Sequence, residues 1–193
     1  ITHRWETEAF HYWQEQLNGQ LLFGLVQGGM FKESRQRSAE YLTQHDFSGF
    51  SIGGLSVGEP KDILEDMTSF VTDYLPENKP RYLMGVGLPE NFEPAILAGI
   101  DMFDCVAPTR LARHGNFFTH NGRKNIRNAC FSDDTGPLDA QCECTVCRHY
   151  SCGYVRHLSV VNEALGATLL SLHNIAYVFQ LVDRMKQGIR SGI

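Results

Sequence analysis

LLFGLVQGG (residues 21–29) is an apolar run that halts at Gln27 and two glycines. Three further runs share its form: GFSIGG (49–54), RYLMGVG (81–87) and DMFDCVAP (101–108). They are near-continuously apolar rather than alternating, which suits strands buried on both faces of a parallel sheet. Helical patterns fill the intervals. One is predicted from Lys32 to about Gln44, and a second follows Pro60 with Ile63, Leu64, Met67, Phe70 and Val71 at helical spacing. A third follows Pro89, a residue well suited to a first helical turn. Such a β/α repeat is half of a (β/α)8 barrel or a small open doubly wound sheet, in the α/β class. Either architecture keeps its chemistry at the carboxyl ends of the strands. Gln27, Gly53-Gly54, Met84-Gly85 and Asp104 fall there.

After Pro108 the pattern breaks. FFTHNGRKNI (117–126) carries the turn signal Asn121-Gly122 between short strand-like pieces and reads as a hairpin. Two helical stretches are predicted near 151–165 and 168–190. The division predicted from these patterns is a partial barrel with a basic hairpin over 1–130, then a cysteine-bearing subdomain with terminal helices over 131–193. At 42% hydrophobic and 20% charged residues the composition is that of a soluble globular protein. No uninterrupted run of about 18 apolar residues occurs, so no membrane span is expected. The opening ITHRWETEAFHYWQEQL lacks a signal-peptide pattern and reads as the middle of a helix, so a piece of a longer chain is expected.

The net charge of −5 argues against a protein that coats nucleic acid. Its distribution says more. Between Cys105 and Phe131 there is no Asp or Glu, yet Arg110, Arg113, Arg123, Lys124 and Arg127 all lie there. The stretch is either a solvated basic loop or a surface for phosphates.

Six cysteines without a secretory signal, three of them within six positions, favour metal over disulfides. Cys142-x-Cys144-x2-Cys147 supplies three thiolates to a tetrahedral Zn2+, and a fourth ligand must come from elsewhere. His149, His157, Cys152 and His173 are all candidates by position. A closed Cys3His site is structural, with no open position for a substrate. GGLSVGEP (53–60) is a glycine-rich strand-to-helix loop, suited to phosphate or to close approach of a flat base. Asp104 could cap a helix or pair with Arg110. If catalytic, it could be a general base, a metal ligand or a nucleophile at a sugar carbon.

Taken together, FGLVQGGM (23–30), GGLSVGEP (53–60), YLMGVGLPE (82–90), GIDMFDCVAPTR (99–110) and the cysteine motif with His173 resemble the tRNA-guanine transglycosylase family, in the same order along nearly the whole chain. The resemblance implies a catalytic (β/α)8 barrel carrying a zinc subdomain, of which this chain would be the C-terminal half. It implies that Asp104 attacks the ribose C1′ of the wobble guanosine, that guanine leaves, and that a 7-deazaguanine base displaces the aspartate, beginning queuosine formation. The target nucleotide must be flipped out for this. By the same correspondence Gln27, Gly53, Gly54, Leu55 and Met84 form the base pocket, and the basic run Arg110, Arg113, Arg123, Lys124 and Arg127 holds the tRNA anticodon loop. Cys142, Cys144, Cys147 and His173 look like ligands of a structural zinc, and Val57 suggests 7-aminomethyl-7-deazaguanine as the incoming base and a bacterial source. A cytoplasmic homodimer without membrane contact is the form so implied.

The family's barrel has further strands upstream, with a second essential aspartate, an aspartate that reads the base edge and an aromatic stacking partner. None can be located in residues 1–20. The chain alone is therefore expected to be inactive or nearly so. Two other readings compete: a non-catalytic tRNA-binding subunit of the same fold, and an unrelated β/α enzyme that binds a phosphorylated small molecule through GGLSVGEP.

Overall fold

In the computed structural model, which describes residues 1–16 and 19–192, the four apolar runs become β1 (Phe23–Val26), β2 (Gly49–Ile52), β3 (Arg81–Leu83) and β4 (Met102–Phe103). All pair in parallel, in the order β1-β2-β3-β4. The order is sequential, without the reversal that marks a doubly wound sheet. Burial on both faces, expected of every strand, holds only for β2, which is buried at each position. β1 alternates, and in β4 Met102 is 45% exposed. The reason is position: among the described residues β1 and β4 each have a partner on one side only.

Helix α1 (Thr2–Gln16) precedes β1, and α2 (Lys32–Leu42), α3 (Lys61–Thr72) and α4 (Pro89–Leu97) lie between the strands. α3 lays Leu64, Met67 and Val71 against the sheet, and α2 adds Ala39 and Leu42. With Val26, Phe50, Ile52 and Leu83 these side chains form one core. Each large apolar side chain so buried contributes about 1.5–3 kcal/mol. This core belongs to the first of two compact units, Ile1–Val86 with Glu90–Cys105.

The second unit comprises Gly87–Pro89 and Val106–Ile193. It holds α5 (Ala107–Arg113), the antiparallel hairpin β5 (Asn116–Thr119) and β6 (Gly122–Asn125), α6 (Thr145–His149), α7 (Cys152–Val160) and α8 (Ala164–Arg190). Thr119 pairs with Gly122, so the hairpin turns on His120-Asn121, one residue before the Asn121-Gly122 signal. α7 stops at Val160 because Asn162 takes a left-handed φ of 59°, and α8 then starts at Ala164, earlier than 168.

α8 organises this unit. Its fully buried Asn174 accepts from Phe118 N–H (3.0 Å) and donates to the carbonyls of Asn116 (3.1 Å) and Pro108 (2.9 Å). Tyr177 adds a bond to the Thr119 carbonyl, and Phe117 and Ile126 enter the same core as Leu169 and Leu170. The hairpin thus packs with the cysteine-bearing segment, whereas the sequence pattern grouped it with the strands upstream of residue 130. By mean hydropathy, though not by uninterrupted apolar residues, α8 is long and apolar enough to cross a membrane. Its buried, hydrogen-bonded His173 and Asn174 make it a core helix of this unit.

Candidate active site and metal centre

Asp104 follows β4, beyond the strand's carboxyl end. Its side chain is exposed, and Oδ1 accepts two hydrogen bonds, from Tyr82 OH at 2.6 Å and from Gly85 N–H at 2.9 Å. Those bonds, the phenol first, hold the carboxyl below its ordinary range, so it is ionised at neutral pH. The same pairing pushes Tyr82 up to about 12. No hydrogen bond reaches Oδ2 among the described residues, which leaves one carboxylate oxygen oriented and available. Gly85 stood among the strand-end residues that the sequence picked out, whereas Tyr82 did not. A signal for Tyr82 existed: it lies in the same apolar run as Met84, two residues before it.

The loops beside Asp104 interlock. Met84 N–H donates to the Ile52 carbonyl (3.2 Å), and Ser56 Oγ donates to the Gly85 carbonyl (3.1 Å). Glu59 turns back along GGLSVGEP to accept from the N–H groups of Ser56 and Val57. Burial pushes Glu59 up, but these N–H bonds outweigh it and hold it below its ordinary value. Gln27, fixed by its N–H to Ser38 Oγ (3.1 Å), packs directly on the double glycine. A Cβ added to Gly53 would lie 3.0 Å from Gln27 Nε2, and one on Gly54 only 2.8 Å from Gln27 Oε1. Gly54 also has a φ of +66°, so the loop needs glycine there on two counts. Leu55 is buried, Met84 half-buried and Val57 77% exposed. Gln27, Gly53, Gly54, Leu55, Met84 and Asp104 therefore share one end of one sheet, linked through Ser56 and Gly85.

The basic residues lie in the second unit. Arg110 and Arg113 occupy the last turn of α5, Arg123 and Lys124 stand on β6, and Arg127 follows it. All five are exposed, and none makes an ion pair among the described residues. Arg113 and Arg127 together line a cavity of about 150 Å³ with Ser159, Asn162 and Glu163.

In the same unit Cys142, Cys144, Cys147 and His173 converge, with ligand atoms all within 4.8 Å of one another. His173 Nδ1 stands 3.5 Å from Cys144 Sγ and 3.3 Å from Cys147 Sγ. A tetrahedral zinc with bonds of about 2.3 Å to sulfur and 2.0–2.1 Å to nitrogen sets such edges near roughly 3.6 Å. His173 Nε2 bonds the Phe118 carbonyl at 2.8 Å, which turns Nδ1 toward the thiols in the manner of an oriented ligand. Burial pulls His173 down, but the bonds with Cys142 and Cys144 and the Phe118 carbonyl carry it up to about 9. Cys144, accepting from Cys147 and then His173, falls to about 3, while Cys147 is pushed up as the donor. The alternatives lie outside this group. Cys152 is buried against the Pro137 carbonyl (3.2 Å), and His149 and His157 are no part of it.

The family described as queuine tRNA-ribosyltransferase matches residues 1–193. A queuine tRNA-ribosyltransferase of Dictyoglomus turgidum is 46% identical over 193 residues, 100% of this chain and 50% of that protein. One from Bacillus cytotoxicus is 49% identical over 189 residues, 98% of this chain and 50% of that protein. One from Thermoanaerobacter sp. strain X514 is 49% identical over 171 residues, 89% of this chain and 46% of that protein. The chain spans about half the length of the curated relatives it matches.

Proposed function

The chain belongs to the queuine tRNA-ribosyltransferase family, and from that membership we propose that it is the nucleophile-bearing half of a tRNA-guanine transglycosylase. The observation that carries the reading is Asp104: an ionised carboxylate at a strand's carboxyl end, tethered through one oxygen only, at the same end of the sheet as the Gly53-Gly54 loop. In this reading the free oxygen attacks C1′ of a flipped-out guanosine. The C1′–O bond forms as the C1′–N9 bond breaks, and guanine leaves with a proton. A 7-deazaguanine base, 7-aminomethyl-7-deazaguanine in the case Val57 suggests, then loses its N9 proton and displaces Asp104. The covalent intermediate follows the logic of retaining glycosyl transfer.

In this reading Gln27 hydrogen-bonds the base, Gly53, Gly54 and Leu55 offer backbone groups, and Met84 covers a face. Arg110, Arg113, Arg123, Lys124 and Arg127, exposed and without carboxylate partners, suit anticodon-loop phosphates. Zinc is the metal the Cys3His set fits, and held there it would serve structure by tying the cysteine loop to α8. The sequential parallel order supports a barrel segment completed by upstream strands. A homodimer working in the cytoplasm, where its tRNA is found, completes the reading.

The test is denaturing mass spectrometry of the protein, carrying the complete barrel, after incubation with cognate tRNA and without incoming base. A tRNA-sized adduct mapping to Asp104 is expected, lost in Asp104→Ala with tRNA binding retained. Absence of any adduct with tRNA still bound would favour a non-catalytic tRNA-binding role.

A further inference from the structure

Arg35 is a fully buried arginine on α2, outside every motif the sequence singles out. Its guanidinium bonds backbone carbonyls through Nε and Nη2, while Nη1 is buried without a partner among the described residues. Nε donates to Gly29 (2.6 Å), and Nη2 donates to Gly53 (3.1 Å) and to Gly54 (3.3 Å). It thus ties the loop after β1, which carries Gln27, to the double glycine after β2. The loop packs onto it closely: a Cβ on Gly28 would lie 2.6 Å from Arg35 N and 2.7 Å from its Cγ. Burial pulls Arg35 below its ordinary value, and the charge of Glu59 works against that pull. The bond to Gly53 has an electronic consequence. Its carbonyl shares a peptide unit with the Gly54 N–H, and donation into a carbonyl strengthens the N–H of the same unit as a donor. Gly54 is exposed, and its N–H makes no hydrogen bond among the described residues.

We infer that Arg35 is a positioning residue for base selection: by holding and polarising the Gly53–Gly54 peptide it aims a strengthened Gly54 N–H at a ring carbonyl of the incoming base. The inference rests on the transglycosylase reading of this pocket and names a residue through which it chooses 6-oxo bases. Arginine suits the task because its planar fork reaches three carbonyls at once, which an ammonium on a flexible stem does not.

The experiment compares guanine with 2-aminopurine, which lacks the 6-carbonyl and with it the N1 proton, in labelled-guanine exchange by the enzyme with its complete barrel. Arg35→Gln is expected to raise KM for guanine about tenfold with kcat within about twofold, and to cut the preference for guanine over 2-aminopurine by about tenfold. Arg35→Lys is expected to fall between the two. Equal losses for both bases, or a lowered melting temperature with unchanged preference, would overturn the inference. If Arg35→Gln does not fold, Arg35→Lys and the wild type decide. In 15N-glycine-labelled wild-type protein the Gly54 amide proton should move downfield with guanine and not with 2-aminopurine, and an unmoved Gly54 overturns the proposal. Wild-type protein that exchanges no guanine brings down the transglycosylase reading and this inference together. Wild-type exchange with unaltered preference in the variants brings down the inference alone.

Discussion

Tyr82 and Asp104 share a 2.6 Å hydrogen bond, and the phenol has two effects on the acid. It orients the carboxylate, and it holds the proton affinity down. A hydrogen bond to a charged group contributes about 1.5–3 kcal/mol, so Tyr82→Phe should slow exchange by roughly tenfold or more. The direction with pH follows from the sign. A depressed carboxyl keeps its charge to lower pH, so activity should vanish only as pH falls through that lowered value. Removing the phenol raises the value, and the acid limb of the rate profile should move to higher pH. A Tyr82→Phe profile with an unmoved acid limb would show that Asp104 is not the titrating group.

Among the elements, α1 buries Phe10 in the core of the sheet and also reaches β1 through one carboxyl group. Glu6 Oε1 accepts from Leu25 N–H at 3.0 Å, on β1, while Oε2 is buried without a partner among the described residues. Burial drives Glu6 up from 4.5 to about 7, against the lowering effect of the Leu25 bond. A raised folded-state value means that the protonated form supports the fold. Its contribution is complete below about pH 4.5 and is lost as pH rises through about 7. Glu6→Gln mimics that form and should stabilise the protein above pH 7 by about 1 kcal/mol, discounted for solvent screening, with no gain below pH 4.5. Melting curves at both pH values check this, and equal effects at the two would refute it. The second element-level case is α8, which the cysteine loop reaches through His173. Cys144→Ser should lose stoichiometric zinc by atomic emission and unfold the second unit at lower temperature. Zinc retained at full stoichiometry would exclude this ligand set.

On the scale of the whole molecule, two facts bear on activity. The chain spans about half the length of its relatives, and β1 and β4 are both edges among the described residues. Open parallel edges leave backbone groups for other strands to pair, and under the transglycosylase proposal a proton-transfer partner for Asp104 would have to come from such strands, since the groups that bond Asp104 here are Tyr82 and Gly85. We therefore expect the 193-residue chain by itself to exchange labelled guanine into tRNA at a small fraction of the rate of a chain that includes the upstream strands. Equal rates would show that the described residues form a complete site.

What the sequence by itself determined was periodic or covalently local: four apolar runs ending in polar residues, glycine or proline, helices between them, a cysteine triplet at metal spacing, and an acid interrupting the last run. Such features are legible because strand burial and ligand spacing act between near neighbours in the chain. Position in the sheet was not: β4 carries the same apolar signature as β2, yet only its place at the edge leaves Met102 exposed. Spacing by itself left four candidates for the fourth ligand, and tertiary structure brought His173, the one the family resemblance implied, to Cys142, Cys144 and Cys147 from a helix far along the chain. It also placed the hairpin with α8 through Asn174, and put Arg35 beneath Gly29, Gly53 and Gly54. Those contacts join residues remote in sequence through hydrogen bonds to main-chain carbonyls and amides. Every residue carries such groups, so no pattern of side chains announces them in advance.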